Sequence, residues 1–470
     1  MTGADALIEA LLDEGVDTIF GYPGGAVLHI YDALYRYSDR IKHVLTAHEQ
    51  GAAHAADGYS RSSGRIGVCL ATSGPGATNL ITGIATAYLD SIPLLAITGN
   101  VPLHLLGKDS FQEVDITGMT MAVTKHNFIV KEASQIKSTV KRAIEIATSG
   151  RPGPVLIDIP KNLTSETVQE LSEIEFPRPW KEKRAYSSLE REDLKSIIDL
   201  ISMSKKPLIY AGGGVIQSNS ADLLMDFAKR IDAPVATSLM GLGAIPASSS
   251  YSLGMIGMHG TRASNWAVTQ CDVLIAIGAR FSDRVLSKLE GFAPDAHIIH
   301  IDIDPAEINK NIVSYKSLIG QIPIVLHAIN EQVEPLNHME WLASIKDIKK
   351  QWLQASEPRR FRPKEIIETL SDLTGGDCIV ATEVGQNQMW TAQFFPFTGP
   401  RQMITSGGLG TMGFGMGAAI GAQLANPNSL VINIAGDGCF HMNCNEISTA
   451  VTYGLPIKVI LLNNGVLGMV

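Results

Sequence analysis

Short apolar runs punctuate the chain at intervals. They are Gly67–Ala71, Leu94–Thr98, Val155–Asp158, Pro207–Ala211, Val273–Gly278, Ile298–Asp302, Cys378–Thr382, Leu430–Ala435 and Ile457–Leu462. Each is four to six residues long and rich in β-branched side chains, and, Lys458 apart, none carries a charge in its interior. Stretches with helical periodicity separate them. A run that is apolar on both faces suits a buried parallel strand covered by helices on each side. The alternation predicts an α/β protein of doubly wound parallel sheets.

Two charged stretches interrupt the pattern. Thr164–Asp193 contains Phe176-Pro177-Arg178-Pro179-Trp180, and Trp352–Arg362 contains Pro358 and is followed by Pro363. Both read as interdomain linkers. They predict three domains at about 1–165, 188–340 and 360–470, in keeping with 470 residues at roughly 100–200 per domain.

Composition narrows the function. Hydrophobic residues make up 45% of the chain and charged residues 18%, which excludes an intrinsically disordered protein. The net charge is −9 with no basic cluster, so phosphate neutralisation cannot drive nucleic-acid binding. Cys69, Cys271, Cys378, Cys439 and Cys444 form no CxxC pair, which reads as reduced thiols in a cytoplasmic setting. The N-terminus MTGADALIEALLDEG is an acidic amphipathic helix, unlike a signal or transit peptide. The longest charge-free stretch, Gln402–Gly436, holds eight glycines and is no membrane span.

The first and last pieces resemble each other. Strand, SGPGATN, helix, Ile92-Pro93, strand is matched by strand, GDGCFHMN, helix, Leu455-Pro456, strand. Within the second of these, Gly436-Asp437-Gly438 is followed after 24 residues by Asn463-Asn464. Each group caps an apolar strand. In a parallel sheet those carboxyl ends lie side by side, where ligands bind. Asp437, Asn464 and a nearby main-chain carbonyl, placed at Val466, are hard oxygen ligands suited to Mg²⁺ carrying a diphosphate. The glycines admit close backbone approach, and the helix after Gly438 offers N–H groups. Ser73-Gly74-Pro75-Gly76 lacks the GK[ST] of a P-loop and reads as a tight turn.

This spacing resembles the thiamine-diphosphate signature of the decarboxylase and carboligase superfamily. GYPGGAVLHIYDAL, HEQGAAHAADGYSR, SGPGATN, FQEVDI, GARFSDR, EVGQNQMW and GGLGTMGFG together resemble the large catalytic subunits of the acetohydroxyacid (acetolactate) synthases, over the whole chain. The resemblance implies specific roles. Glu49 would bond N1′ of the aminopyrimidine and promote its imino tautomer, although an arbitrary Glu there would be a helix N-terminal carboxylate. Met412 would wedge between the two cofactor rings, where a lone Met is usually core filler, and Gly410 would offer a carbonyl to the 4′-amino group. Val384, Gly385, Gln386 and Asn387 would contact the diphosphate, with Asn387 standing where the family often has His. Gly436, Gly438, Cys439 and Met442 would line the same pocket. Phe111, Gln112 and Lys161 would surround the substrate, with Met258 and His259 beside the access channel. A solvated loop lysine remains an alternative for Lys161.

The middle piece carries Gly212-Gly213-Gly214 after one strand, Gly278-Ala279-Arg280-Phe281-Ser282-Asp283-Arg284 after another, and Asp302 at the end of a third. Glycine turn, Arg280, Arg284 and Asp302 suit a dinucleotide, and the resemblance makes it FAD in a structural role. The implied reaction decarboxylates pyruvate and joins the remaining two-carbon unit to pyruvate or 2-ketobutyrate. A homodimer or dimer of dimers is implied, with a small regulatory subunit and no nucleic-acid or membrane partner. An FAD-free carboligase, a 2-ketoacid decarboxylase or a non-catalytic binding module are the rivals. The resemblance also places further sheet partners and a lid beyond Val470.

Overall fold

The computed structural model describes residues 1–168, 191–286, 288–354 and 362–470. The Phe176–Trp180 part of the first linker and residues 355–361 of the second lie outside them. Thr164 itself belongs to the helix Lys161–Ser165, and Thr167 bridges Thr2, so the first linker starts later than its charge suggests. The helix Met339–Gln354 likewise extends into the second.

Three sheets carry the fold. The first contains β1 (Thr18–Gly21), β2 (Lys42–Leu45), β3 (Gly67–Ala71), β4 (Leu94–Asn100), β5 (His126–Ile129) and β6 (Pro154–Pro160) in the order β2-β1-β3-β4-β6-β5. The second contains β7 (Pro207–Ala211), β8 (Val235–Thr237), β9 (Ser252–Met255), β10 (Val273–Ile277), β11 (His297–Asp302) and β12 (Lys316–Ile319) in the order β12-β11-β10-β7-β8-β9. The third contains β13 (Ile379–Thr382), β14 (Met403–Ile404), β15 (Val431–Gly436) and β16 (Lys458–Leu462) in the order β14-β13-β15-β16. Pairing is parallel throughout the first two sheets and across β13-β15-β16. The inner strands β3, β4, β6, β7 and β10 are buried along their whole length, which is why they read as unbroken apolar runs.

The described residues divide into two compact units. One joins residues up to 168 with Cys378–Gln388 and Ile404–Val470, and holds the first and third sheets. The other holds the second sheet, residues 191 to 377 together with Met389–Met403.

Within the first unit, the helix Glu49–Ser63 packs on the helix Phe414–Ala425. Ala52, Ala53, Ala55 and Ala56 share one core with Met416 and Ile420. Small residues let the two backbones approach closely. A Cβ at Gly421 would overlap the Ala55 carbonyl oxygen, and one at Gly58 would overlap the Ala418 backbone. Gly421→Ala is therefore expected to cost about 1–3 kcal/mol of stability, the range for overpacking, seen as a lower urea midpoint. Gly25→Ala, whose Cβ would meet nothing within 4 Å, serves as the control.

Candidate active site

The third sheet aligns the strand ends that the motif requires. β15 pairs with β16 so that Gly436 stands opposite Leu462, and β13 flanks β15 on its other side. Asp437 thus follows the central strand, with Val384–Asn387 on one side and Asn464 on the other. The helix Asp437–Asn443 starts one residue before Gly438, at the aspartate itself, rather than after the second glycine. Asn464 Nδ2 donates to Gln386 Oε1 at 2.9 Å, tying the two flanks across Asp437. Asn464 Oδ1 accepts the Val466 N–H at 3.1 Å, so the loop folds Val466 back beside the second proposed ligand. An amide oxygen has two lone pairs, and one remains for a cation.

Bare backbone surrounds these groups. A Cβ at Gly436 would lie 3.1 Å from Asn387 Nδ2, and one at Gly413 would lie 3.2 Å from Met442 Cβ. The same construction at Gly438 reaches Leu467 and comes within 3.9 Å of Met412 Cε. Cys439 Sγ donates to the Val384 carbonyl at 2.8 Å. The structure therefore gathers Val384, Gln386, Asn387, Met412, Gly436, Asp437, Gly438, Cys439, Met442, Asn464 and Val466 into one neighbourhood. Gly385, Gly410 and Gly413 hold φ values of 128°, 70° and 84°, which favour glycine on both sides of Met412.

Glu49 opens its helix at the end of β2. His48 Nδ1 accepts the Gln50 N–H at 3.1 Å and caps the first turn. Glu49 Oε2 accepts from Asn79 Nδ2 at 3.0 Å, and a Cβ at Gly76 would lie 3.0 Å from Oε1. The Tyr31 hydroxyl is buried, with no hydrogen-bond partner among the described residues. Burial, with a smaller contribution from the Glu49 carboxylate, raises its pKa above the usual phenol range. Tyr31 lies inside the GYPGGAVLHIYDAL match but carries no signal of its own. The buried Glu446 carboxylate accepts the Ala47 and His48 N–H groups at 3.2 and 3.0 Å, fixing the chain just before Glu49. The hydrogen bonds of Glu49 and of Asn464 run to different partners, and none joins the two. Phe111 is largely exposed, Gln112 has φ 58°, and Lys161 begins a short helix after β6 instead of lying in a loop.

Glu383 is the residue that sequence reasoning missed most clearly. It follows β13, is fully buried, and accepts the Gly413 and Gly415 N–H groups at 2.9 Å each. Burial pushes its carboxyl up to about 7 against the downward pull of those amides. Its partners lie 30 and 32 positions away, beyond the reach of any local pattern.

In the second unit, β7 and β10 are neighbours from which the strand order runs in opposite directions, the switch point where dinucleotides bind. Gly212-Gly213-Gly214 follows β7 and Gly278-Ala279-Arg280 follows β10. The turns touch: Gly214 N–H donates to the Gly278 carbonyl at 3.0 Å. Met258 N–H donates to the Arg284 carbonyl at 2.8 Å, and Arg284 Nη1 lies 3.7 Å from Met258 Sδ. The His259 carbonyl accepts from Gln393, and burial, with Arg284 nearby, lowers the pKa of its ring. Asp302 ends β11 with Oδ1 accepting the Asp304 N–H at 2.9 Å.

Three family models match in order. Residues 1–119 match the thiamine pyrophosphate enzyme N-terminal TPP binding domain, 194–329 the central domain and 383–470 the C-terminal TPP binding domain. The chain is 49% identical over its whole length to a probable acetolactate synthase large subunit of Methanocaldococcus jannaschii, covering 81% of that protein. The chain belongs to the acetolactate synthase large-subunit family. It is also 48% identical to the chloroplastic acetolactate synthase of Arabidopsis thaliana and 46% identical to the isozyme 2 large subunit of Escherichia coli. Both matches span the whole chain, and cover 71% and 84% of those relatives. The family's three thiamine-diphosphate enzyme domains are thus all represented in the chain. Among the described residues no helix is long and apolar enough to cross a membrane.

Proposed function

We propose that this chain decarboxylates pyruvate and condenses the two-carbon remainder with pyruvate or 2-ketobutyrate, as an acetolactate synthase (EC 2.2.1.6) in branched-chain amino acid biosynthesis. The observation that carries the reading is the strand-end constellation Asp437, Asn464 and Gln386, with Met412 close to Gly438, in a chain related end to end to acetolactate synthases. Formation of acetolactate from pyruvate by the purified protein tests it. Acetaldehyde as the sole product would instead indicate a decarboxylase.

The residues fit thiamine diphosphate. Bound, it supplies the electron sink for decarboxylation. Glu49 would hold its aminopyrimidine and share a proton there. Gly410 would accept from the amino group, and Met412 would set the ring geometry. Asp437, Asn464 and the Val466 carbonyl would hold Mg²⁺, whose preference for oxygen matches this donor set. Among the described residues no three His, Cys, Asp or Glu side chains gather to hold a metal. A site of one carboxylate, one amide and one carbonyl, completed by phosphate oxygens, needs none. Phe111, Gln112 and Lys161 would meet the substrate.

Glu49 and Asp437 would act on one cofactor through a second copy of the chain, each copy supplying half of each site. The relatives from M. jannaschii and E. coli are named large subunits, which supports a small regulatory partner here as well. The five free cysteines suit a cytoplasmic enzyme.

FAD would occupy the switch point of the second sheet, with Gly212–Gly214 and Arg280 at its diphosphate and Asp302 at a ribose. Met258, His259 and Arg284 would lie alongside. Arg280→Ala is expected to weaken FAD binding by about 10- to 100-fold, the loss of one charge-assisted hydrogen bond. The check is visible absorbance of the purified protein, yellow in the parent and colourless in the variant. A colourless parent would count against FAD.

A further inference from the structure

The segment that carries Gly410 and Met412 is held by groups with no assigned role. Asp90 is the last residue of the helix Ile81–Asp90. A carboxylate is disfavoured at a helix C-terminus, where the dipole is negative. Its side chain is nevertheless fully buried. Asp90 Oδ2 accepts from Arg61 Nη2 at 2.9 Å and from the Gly407 N–H at 3.0 Å. Asp90 Oδ1 accepts the Gly408 N–H at 2.7 Å. Arg61 is itself paired with the buried Asp57, and its Nη1 donates to the Thr405 carbonyl at 2.8 Å. One turn earlier on the same helix face, Thr86 Oγ1 bonds Thr411 Oγ1 at 2.7 Å. The segment thus lies along one helical turn, gripped at 405, 407, 408 and 411. The approach is close: a Cβ at Gly408 would lie 2.9 Å from both Asp90 Oδ1 and Leu89 Cβ.

We propose that Asp90, held by Arg61, is a positioning residue that sets where the Gly410 carbonyl and the Met412 side chain stand. This rests on the reading of those two residues as cofactor contacts. A buried carboxylate at the wrong end of a helix is a poor stabiliser of that helix. Its three partners from Arg61 and the segment compensate for that position, and so lock the segment in register with the helix. Without Asp90, Gly407 and Gly408 lose a shared acceptor, and the segment keeps only its bonds at 405, 406 and 411.

The test is Asp90→Asn in the full chain, which keeps the shape but cannot accept on both atoms. Amide hydrogen exchange across 405–413 should quicken by at least about tenfold, the factor for losing one hydrogen bond to a charged group. Protection in β3 and β4 should stay. With thiamine diphosphate and Mg²⁺ added, kcat should fall at least about tenfold while the KM for pyruvate changes by less than about twofold, because transition-state geometry is lost and uniform substrate binding is not. Unchanged exchange at 405–413 would overturn the proposal, as would faster exchange with unaltered kcat. If Asp90→Asn loses protection in every strand, Thr86→Val decides, since it removes the Thr411 bond and leaves the ion cluster intact. Its exchange should quicken around 411, and parent-like exchange there would overturn the proposal. Exchange is read without substrate, so a parent chain that made no acetolactate would count against the function alone.

Discussion

Glu49→Gln should slow hydrogen–deuterium exchange at C2 of bound thiamine diphosphate by about 10²–10⁴-fold, the usual contribution of a positioned proton-transfer group. The substitution is nearly isosteric. The amide oxygen can still accept from Asn79, and the His48 cap and the Glu446 grip on Ala47 and His48 do not involve the Glu49 side chain. Loss of a carboxylate from the first helical turn costs about 0.3–1 kcal/mol, too little to unfold the unit. What disappears is the capacity to share a proton with a ring nitrogen. The measurement is exchange at C2 in the loaded protein, with affinity for the cofactor measured in parallel. A variant that exchanges at the parent rate would remove Glu49 from this role.

Asp437→Ala is expected to abolish Mg²⁺-dependent binding of thiamine diphosphate. The loss should exceed about 100-fold, beyond the 10- to 100-fold typical of groups that only orient a metal ligand. Asp437 brings a full negative charge, whereas Asn464 and the Val466 carbonyl bring only dipoles. Without it, the ion must shed water for weaker ligands. FAD content should be unchanged, because Gly212–Gly214 and Arg280 belong to the other unit. Titration of cofactor-free protein with thiamine diphosphate and Mg²⁺, followed by tryptophan fluorescence, checks this. Equal affinity in variant and parent would refute the metal assignment.

Most interior strands were legible because burial on both faces leaves no polar alternation; the inner strand β8 is equally buried but only three residues long, too short to stand out as a run. β2 (Lys42–Leu45), β5 (His126–Ile129) and β12 (Lys316–Ile319) were not legible. All three lie at sheet margins, are partly exposed and carry Lys or His, so their sequences look like loop. β1 is buried but only four residues long and follows a charged turn. Asp437 and Asn464 were legible as a pair because adjacent parallel strands place their ends together. Glu383, Asp90 and Arg61 were opaque for the opposite reason. Arg61 bonds Thr405 across 344 positions, and Asp90 bonds Gly408 across 318. Only the awkward place of Asp90 at a helix C-terminus marked any of them.

The packing of Glu49–Ser63 on Phe414–Ala425 also fixes an order of events during synthesis. The alanine-rich face of the first helix leaves the ribosome some 350 residues before the helix that covers it. At about 5–20 residues per second, that face waits roughly 20–70 s for its cover. Met416 and Ile420, which complete its core, are made only at the end of that wait. The second sheet has no such delay, since its strands from β7 to β12 emerge consecutively. The nascent chain therefore carries an unfinished first body, its small-residue face still lacking Met416 and Ile420, while the strands of its second sheet are already all made.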